Sequence, residues 1–392
     1  MKCRICGNEK LVGILDFGFH PPSDAFLTKD QLSQAEAVYP LALWWCPDCT
    51  LGQLSYVVDP ETLFNESYPY ATGVNPGGVK HFTEFSLDVV SKYELGNSDL
   101  VVDIGSNDGT LLKGFQEQGC QVAGVEPCRH LAQIAKERGI LTLNTFFSKE
   151  NVKKRFDTES ATVITATNVF AHIDDIHGVM DGVDYLLKRY GVFIVEAPAF
   201  SDMVKFNQFD QIYHEHLSYL SPDAMATIAR MHGMSMTYEH NEMHGGSIRY
   251  FLTKGFGRTC ITDPPMTLKE LMDFAERVEA NREKVRTTLQ SLKEQGNRIV
   301  GVSAPAKGNT LLNYYGIGAE TLDYLTDISP YKIGLYSPGQ HLEVKTDEQF
   351  IKDAPEYALL LACNFKKNIL KAVRKKGFRG KFIIPYPEMT VE

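Results

Sequence analysis

The densest run of chemically capable side chains is Asp210-Gln-Ile-Tyr213-His214-Glu215-His216-Leu-Ser-Tyr219. Two imidazoles flank a carboxylate, with phenols on either side. Histidine titrates near neutrality, so it can take and return a proton at physiological pH. The same residue types fit a metal site or a well-bonded junction between loop and helix, and the pattern alone leaves all three readings open. A second concentration is thiol: Cys3-Arg-Ile-Cys6 and Cys46-Pro-Asp-Cys49 each place two sulfurs on a tight turn. Together they can close a tetrahedral site of four thiolates with no open coordination position, which makes a bound Zn2+ structural. Cys120, Cys128, Cys260 and Cys363 are scattered, and paired knuckles in a reducing compartment indicate metal rather than disulfides. A third concentration is Lys307-Gly308-Asn309, in a loop between a strand-like run from Asn297 and a helical pattern from Leu311. Lysine, glycine and a helix N-terminus make a cradle for phosphate or diphosphate, with a capped turn and solvated lysine as the alternative.

These groups need a scaffold, and the stretch Leu100 to Leu112 supplies its opening unit. A β-branched run carrying Asp103 ends at Gly105, passes Ser106, Asn107, Asp108 and Gly109, and enters a helical pattern. That is the strand, tight loop and helix that begin a doubly wound α/β sheet. Glycines there let a backbone approach a ligand closely. The next strand ends in Glu126, about 20 residues on, where an acid can accept both hydroxyls of a ribose. Strand and helix patterns alternate onward, with strands at 100–105, 121–126, 141–143, 161–167 and 191–198. Gly105, Glu126, Asn168, His172 and Glu196 all fall at strand ends, on the rim where such sheets bind ligands. Ser221-Pro222 reads as the cap of a helix ending near Gly233, and strands at Met234 and Ser247 close the sheet as a hairpin. A long helix over 266–295 leads to a second α/β module with a strand ending at Asp327, followed by Lys332. The expected organisation is 1–75, a zinc-binding module whose two knuckles flank a looped-out insertion; 76–260; and 261–392.

Bulk properties exclude some classes. The chain has 392 residues, 43% hydrophobic and 23% charged, with a net charge of −9 and no long basic run, which argues against a nucleic-acid partner. No stretch reaches the roughly 20 apolar residues of a membrane span. The N-terminus has no apolar signal region, so a cytoplasmic protein is expected.

Asp103-Ile-Gly-Ser-Asn-Asp-Gly109 followed by Val-Glu126-Pro resembles the class I S-adenosylmethionine (SAM) methyltransferases. With Asn168-Val-Phe-Ala-His172, Tyr213-His-Glu-His-Leu-Ser-Tyr219, Gly-Gly-Ser-Ile-Arg249 and Ala-Lys307-Gly-Asn-Thr-Leu-Leu-Asn313, the chain resembles the sugar C-methyltransferases of branched-chain deoxysugar biosynthesis from Cys3 to about residue 388. The resemblance implies a zinc-bearing N-terminal part, a central Rossmann-like SAM domain and a C-terminal Rossmann-like domain gripping the nucleotide. It implies a dTDP- or GDP-linked 4-keto-6-deoxysugar methylated at C3. It also implies His216 as base, with Tyr213, Glu215, His172 and Tyr70 around it; Tyr68 competes with Tyr70 for that last place. Cofactor contacts are expected from Asp103, Gly105, Asn107, Asp108, Gly109, Glu126 and Asn168. Substrate contacts are expected from Lys307, Asn309, Asp327 and Lys332. A monomer or weak homo-oligomer is expected. An O- or N-methyltransferase on a small molecule would need the same SAM site with another acceptor, and a non-catalytic zinc and nucleotide binding protein would need neither base nor acceptor.

Overall fold

The computed structural model describes residues 1–242, 245–255 and 257–392. The stretch between the cysteine knuckles is an antiparallel hairpin rather than a looped-out insertion, β1 (Val12–His20) against β2 (Tyr39–Trp45), extended by β3 (Gly52–Leu54). Register shifts between Gly13 and Leu15 and between Asp16 and Phe19 break the period-two pattern, which hides β1 in the sequence. The linker carries α1 (Pro60–Leu63) and then α2 (Pro76–Tyr93), capped by Asn75 and buried along Phe82, Phe85 and Val89.

The central layer follows the alternation read from the sequence: β4 (Leu100–Ile104), α3 (Thr110–Glu117), β5 (Gln121–Val125), α4 (Arg129–Glu137), β6 (Leu141–Leu143), α5 (Lys149–Val152), β7 (Ala161–Thr167), α6 (Ile176–Leu186) and β8 (Leu187–Pro198). After α7 (Phe200–Lys205) and a two-residue strand β9 (Ser218–Tyr219), α8 (Pro222–Met231) leads to β10 (Met234–Asn241) and β11 (Ser247–Lys254). The sheet order is β10-β11-β8-β7-β4-β5-β6, with β11 antiparallel to both neighbours and the other contacts parallel. Strand order reverses at β4, so the crevice beyond Ile104 and Thr167 is the natural ligand site. Val101, Val102, Ile164 and Ile194 are fully buried, as expected of parallel strands covered on both faces.

β9 does not join this sheet. It pairs with β3 and becomes the fourth strand of the N-terminal sheet, so the segment just after His216 is held by residues near the N-terminus.

The helix α9 (Leu268–Glu294) opens with a capping box between Thr267 and Glu270 and buries a stripe from Leu271 to Leu289. The last layer is β12 (Ile299–Val302), α10 (Ala306–Tyr315), β13 (Leu325–Thr326), β14 (Val344–Lys345), α11 (Asp347–Asp353), β15 (Tyr357–Leu360), α12 (Lys366–Lys376), β16 (Lys381–Ile384) and β17 (Thr390–Val391). Its order β14-β13-β12-β15-β16-β17 reverses at β12. One apolar core unites Phe17 and Leu43 of the hairpin, Phe200 and Phe209, the α9 stripe, and Leu311 and Tyr315 of α10. No helix is long and apolar enough to cross a membrane among the described residues.

Candidate active site

The four thiols meet as their spacing requires. Sγ of Cys3 and Cys49 lie 3.4 Å apart, those of Cys6 and Cys46 3.5 Å, and all four within 4.8 Å of one another. A tetrahedral ion with Zn–S near 2.3 Å needs sulfurs about 3.8 Å apart, so the set fits zinc with little adjustment. Each knuckle turns through a left-handed residue just after its second cysteine, Gly7 at φ 75° and Thr50 at φ 60°. Arg4, inside the first knuckle, bonds Asp174 at 2.8 Å and the carbonyls of Leu54 and Leu217 at 3.1 Å, tying the zinc turn to the β3–β9 seam.

At the reversal point of the central sheet, Glu126 is buried and accepts the Asn107 N–H (2.8 Å) and the Cys128 N–H (2.7 Å), one on each oxygen. Each carboxylate oxygen keeps a further lone pair for a ribose hydroxyl. Asn168 sits at φ 55° with its Oδ1 buried and unbonded, an amide waiting for a polar partner at the end of β7. Gly105 and Gly109 adopt φ 65° and 79°; a Cβ on Gly105 would lie 2.5 Å from Val169 and one on Gly109 2.6 Å from Ile140. These features fit a bound nucleoside such as that of SAM. Three expected cofactor residues have other partners. Asp103 is buried against Thr165 Oγ1 (2.6 Å), and burial, then the Glu126 charge, pushes its carboxyl up to about 7. Asn107 grips the linker, donating to the Tyr70 carbonyl (3.0 Å) and accepting from Thr72 N–H (2.9 Å). Asp108 accepts from Gly73 N–H (2.9 Å) and Thr110 and pairs with Arg138. The rim residue Glu196 is also occupied: it is fully buried between His81 (2.6 Å), Arg249 (2.8 Å) and Asn241 (3.2 Å).

The histidine segment converges beside this crevice. His216 Nδ1 lies 2.9 Å from the Gln211 carbonyl, which can only accept, so the proton is on Nδ1 and Nε2 carries the lone pair. Tyr213 donates its phenol to that Nε2 at 2.6 Å. His172 stacks on His216 at 5.1 Å and 25°, and Phe64 stacks on His172 at 5.8 Å and 13°. Burial holds the His172 imidazole down to about 4, and its Nε2 has no partner. Glu215 is buried with Oε2 unbonded; burial first, then the Asp24 charge, push its carboxyl up to about 8. Burial likewise raises Tyr213 well above its usual range. Burial therefore favours the neutral forms of His172, Glu215 and Tyr213 around His216, an environment suited to a developing oxyanion. Tyr68 joins the ring ladder through Phe64 at 5.4 Å, whereas Tyr70 leaves 42% of its surface exposed. His214 turns away to the Tyr39 carbonyl, so the two histidines do not converge on a metal. Among the described residues the four cysteines are the one group placed to hold a metal ion.

The C-terminal expectations are rearranged. The helix α10 begins at Ala306, with Pro305 at its N-cap position, so Lys307 and Asn309 occupy its first turn rather than a preceding loop. Burial lowers the Lys307 ammonium while Asp210 opposes that. Asn309 donates to the Ser23 carbonyl (2.7 Å), and Asp327 accepts from Ala304 and Ser329 N–H, each at 2.8 Å. Lys332 is spent on Asp24 (3.2 Å) and the Ala304 carbonyl (2.9 Å). Asp24 was invisible to sequence reasoning, since a single acid in a turn carries no pattern, and Asp210, which opens the polar run, was given no role there. Asp210 is fully buried, bonded through Oδ2 to the Tyr386 hydroxyl, and pushed up to about 6 by burial.

Comparison with known proteins matches residues 3–64 to a zinc binding domain, 82–239 to a methyltransferase domain and 242–387 to a C-methyltransferase C-terminal domain. Over its full length the chain is 32% identical to C-methyltransferase NovU of Streptomyces niveus, of which it covers 96%. It is 29% identical over 100 residues, 24% of its length, to an uncharacterized methyltransferase of Alkaliphilus oremlandii, covering 44% of that protein. Among solved structures it overlaps the YcgJ protein of Bacillus subtilis, at TM-score 0.36 and 14% identity, over 44% of this chain and all of that one.

Proposed function

We propose that this chain, which belongs to the SAM-dependent C-methyltransferase family, methylates C3 of a nucleotide-linked 4-keto-6-deoxysugar. SAM, when bound, supplies a methyl group on a sulfonium and departs as a neutral thioether. Carbon is a poor nucleophile until a neighbouring ketone lets it become an enolate. The protein must therefore remove the C3 proton and steady the oxygen at C4. His216 Nε2 takes that proton, with Nδ1–H anchored on Gln211 so that the ring stays in one tautomer and orientation. Tyr213, freed from Nε2 as the sugar enters, turns its phenol to the enolate oxygen. His172 stacks on the base and offers its ring nitrogen to the same region. Glu215 binds a sugar oxygen. Glu126 and Asn168 hold the donor nucleoside, and Lys307, in the first turn of α10, meets the diphosphate. Asn309, Asp327 and Lys332 shape that end by fixing Ser23, Ala304 and Ser329.

The observation that carries this reading is the fixed tautomer of His216, which leaves a lone pair on a buried nitrogen among neutral donors. The test is incubation with methyl-labelled SAM and a panel of dTDP- and GDP-4-keto-6-deoxysugars, read by product mass, together with loss of deuterium from C3. A methylated product that keeps its C3 deuterium would put the methyl group on oxygen or nitrogen and overturn the reading.

A further inference from the structure

The linker residues 64–75 touch both halves of the site. At one end Phe64 stacks on His172 (5.8 Å, 13°) and meets Tyr68 edge to face at 5.4 Å. At the other end the loop after β4 takes hold of the linker backbone. Asn107 donates through Nδ2 to the Tyr70 carbonyl (3.0 Å) and accepts through Oδ1 from Thr72 N–H (2.9 Å). Asp108 Oδ2 accepts from Gly73 N–H (2.9 Å), and a Cβ on Gly73 would lie 2.6 Å from that oxygen, so the chain is seated directly on the carboxylate. Ala71 is buried with Cys128 and Leu131 in one small apolar cluster. The two residues that hold the linker here, Asn107 and Cys128, also hold Glu126. Their backbone N–H groups bond its two carboxylate oxygens at 2.8 and 2.7 Å. Asn107 does both tasks from a left-handed backbone, φ 52°, which asparagine tolerates better than most residues.

We propose that Asn107 is a positioning residue that couples the two substrates: by clipping residues 70–72 to the loop that presents Glu126, it makes occupation of the donor site order the linker, and with it the Phe64 side of the acceptor site. This rests on the reading that Glu126 holds the donor nucleoside and that His172 and His216 face the acceptor. A ligand shifts an equilibrium only toward the arrangement that binds it better. With the linker seated, both polar atoms of the Asn107 side chain are bonded and its N–H stays aimed at Glu126. With the linker released those two bonds are lost, and the carboxylate that takes the ribose is held less firmly. The donor therefore binds the seated form more tightly, and the seated form is the one that stacks Phe64 on His172. The coupling is reciprocal, so an acceptor that needs the seated linker strengthens donor binding by the same factor. In the reaction, C3 then loses its proton efficiently only when a methyl donor is in place to alkylate the enolate.

The test uses the demethylated cofactor as donor probe, with two variants, either of which suffices if the other fails to fold. Asn107→Gly deletes the clip, and glycine keeps the left-handed backbone. Thr72→Pro deletes the N–H that Asn107 accepts, at the first position of a helical turn after an extended Ala71, where proline is tolerated. In wild type, saturating cofactor slows amide hydrogen exchange over 64–75 by about fivefold or more, and both variants lose that protection. Thr72→Pro, which leaves the Glu126 carboxylate and its two N–H partners in place, also weakens calorimetric binding of the cofactor by a similar factor. With a C3-deuterated sugar from the panel, the cofactor speeds wash-out about fivefold or more in wild type and leaves it unchanged in the variants. A merely structural role would lower wash-out equally with and without cofactor. If wild-type protein exchanges C3 of none of the sugars while the amide protection and its loss are seen, the substrate assignment fails and the coupling stands. Exchange over 64–75 that ignores the cofactor in wild type, or full protection in either folded variant, overturns the proposal.

Discussion

His216→Asn isolates the base. The asparagine amide can occupy the place of the imidazole Nδ1–H and keep the Gln211 carbonyl bonded, while the Nε2 lone pair disappears. Folding loses the ring between Tyr213 and His172, whose centroids lie 4.1 and 5.1 Å from that of His216. Such contacts are worth about 0.5–1.5 kcal/mol each, small against a total stability of about 5–15 kcal/mol. The chemical step loses general-base assistance, about 10²–10⁴-fold, or about 3–5 kcal/mol of barrier. Binding of the donor should not change, because the Glu126 carboxylate is held by the Asn107 and Cys128 N–H groups rather than by the histidine segment. The assay pairs turnover of methyl-labelled SAM with calorimetric binding of its demethylated product and with wash-out of C3 deuterium. Both turnover and wash-out should fall together. A folded, cofactor-binding variant that turns over within tenfold of wild type refutes the assignment of the base.

Chelating zinc, or Cys46→Ser, is expected to lower the melting temperature and abolish turnover together, because the knuckle supports the β3–β9 pairing next to His216; a metal-free enzyme of full activity would contradict this. Arg249→Met leaves the buried Glu196 carboxylate short of its guanidinium and should cost about 3–5 kcal/mol in urea unfolding, most of it recovered in the Glu196→Gln/Arg249→Met double variant. Stability should also fall on acidification through the buried imidazoles. His20 and His172 are both held down to about 4 against 6.5 in the unfolded chain, so each contribution is complete above 6.5 and is lost as pH falls toward 4. Each accounts for about 2 kcal/mol at pH 5, and the loss of unfolding free energy in urea between pH 7 and pH 5 should be smaller by that amount in His172→Asn.

The central layer was legible because its physics is local. Parallel strands buried on both faces read as β-branched runs, and each turn announces itself with glycine or an N-cap. The cysteine knuckles and the Tyr213–His216 segment were equally plain as residue types. What was hidden depends on contacts between distant residues. No local pattern in Ser218-Tyr219 says that it pairs with Gly52-Gln53. Glu196 lies near the end of β8 and Asn107 in the loop after β4, as expected, yet long-range partners spend the first on Arg249 and the second on the Tyr70–Thr72 linker. Lys332 looks like a free cation until Asp24, 308 residues away, takes it.

The pairing of β3 with β9 carries a consequence for synthesis on the ribosome. The hairpin of residues 12–54 emerges early with Leu54 and Trp45 in want of cover, but its fourth strand is not made until residue 219, and the α9 and α10 side chains of its core come later still. At roughly 5–20 residues per second the nascent chain spends many seconds with that surface uncovered. Folding of this module therefore waits for segments translated well after it. Cellular yield should respond to chaperone supply and translation speed more than the final stability suggests, and removing the C-terminal layer should strand the hairpin in an aggregation-prone state.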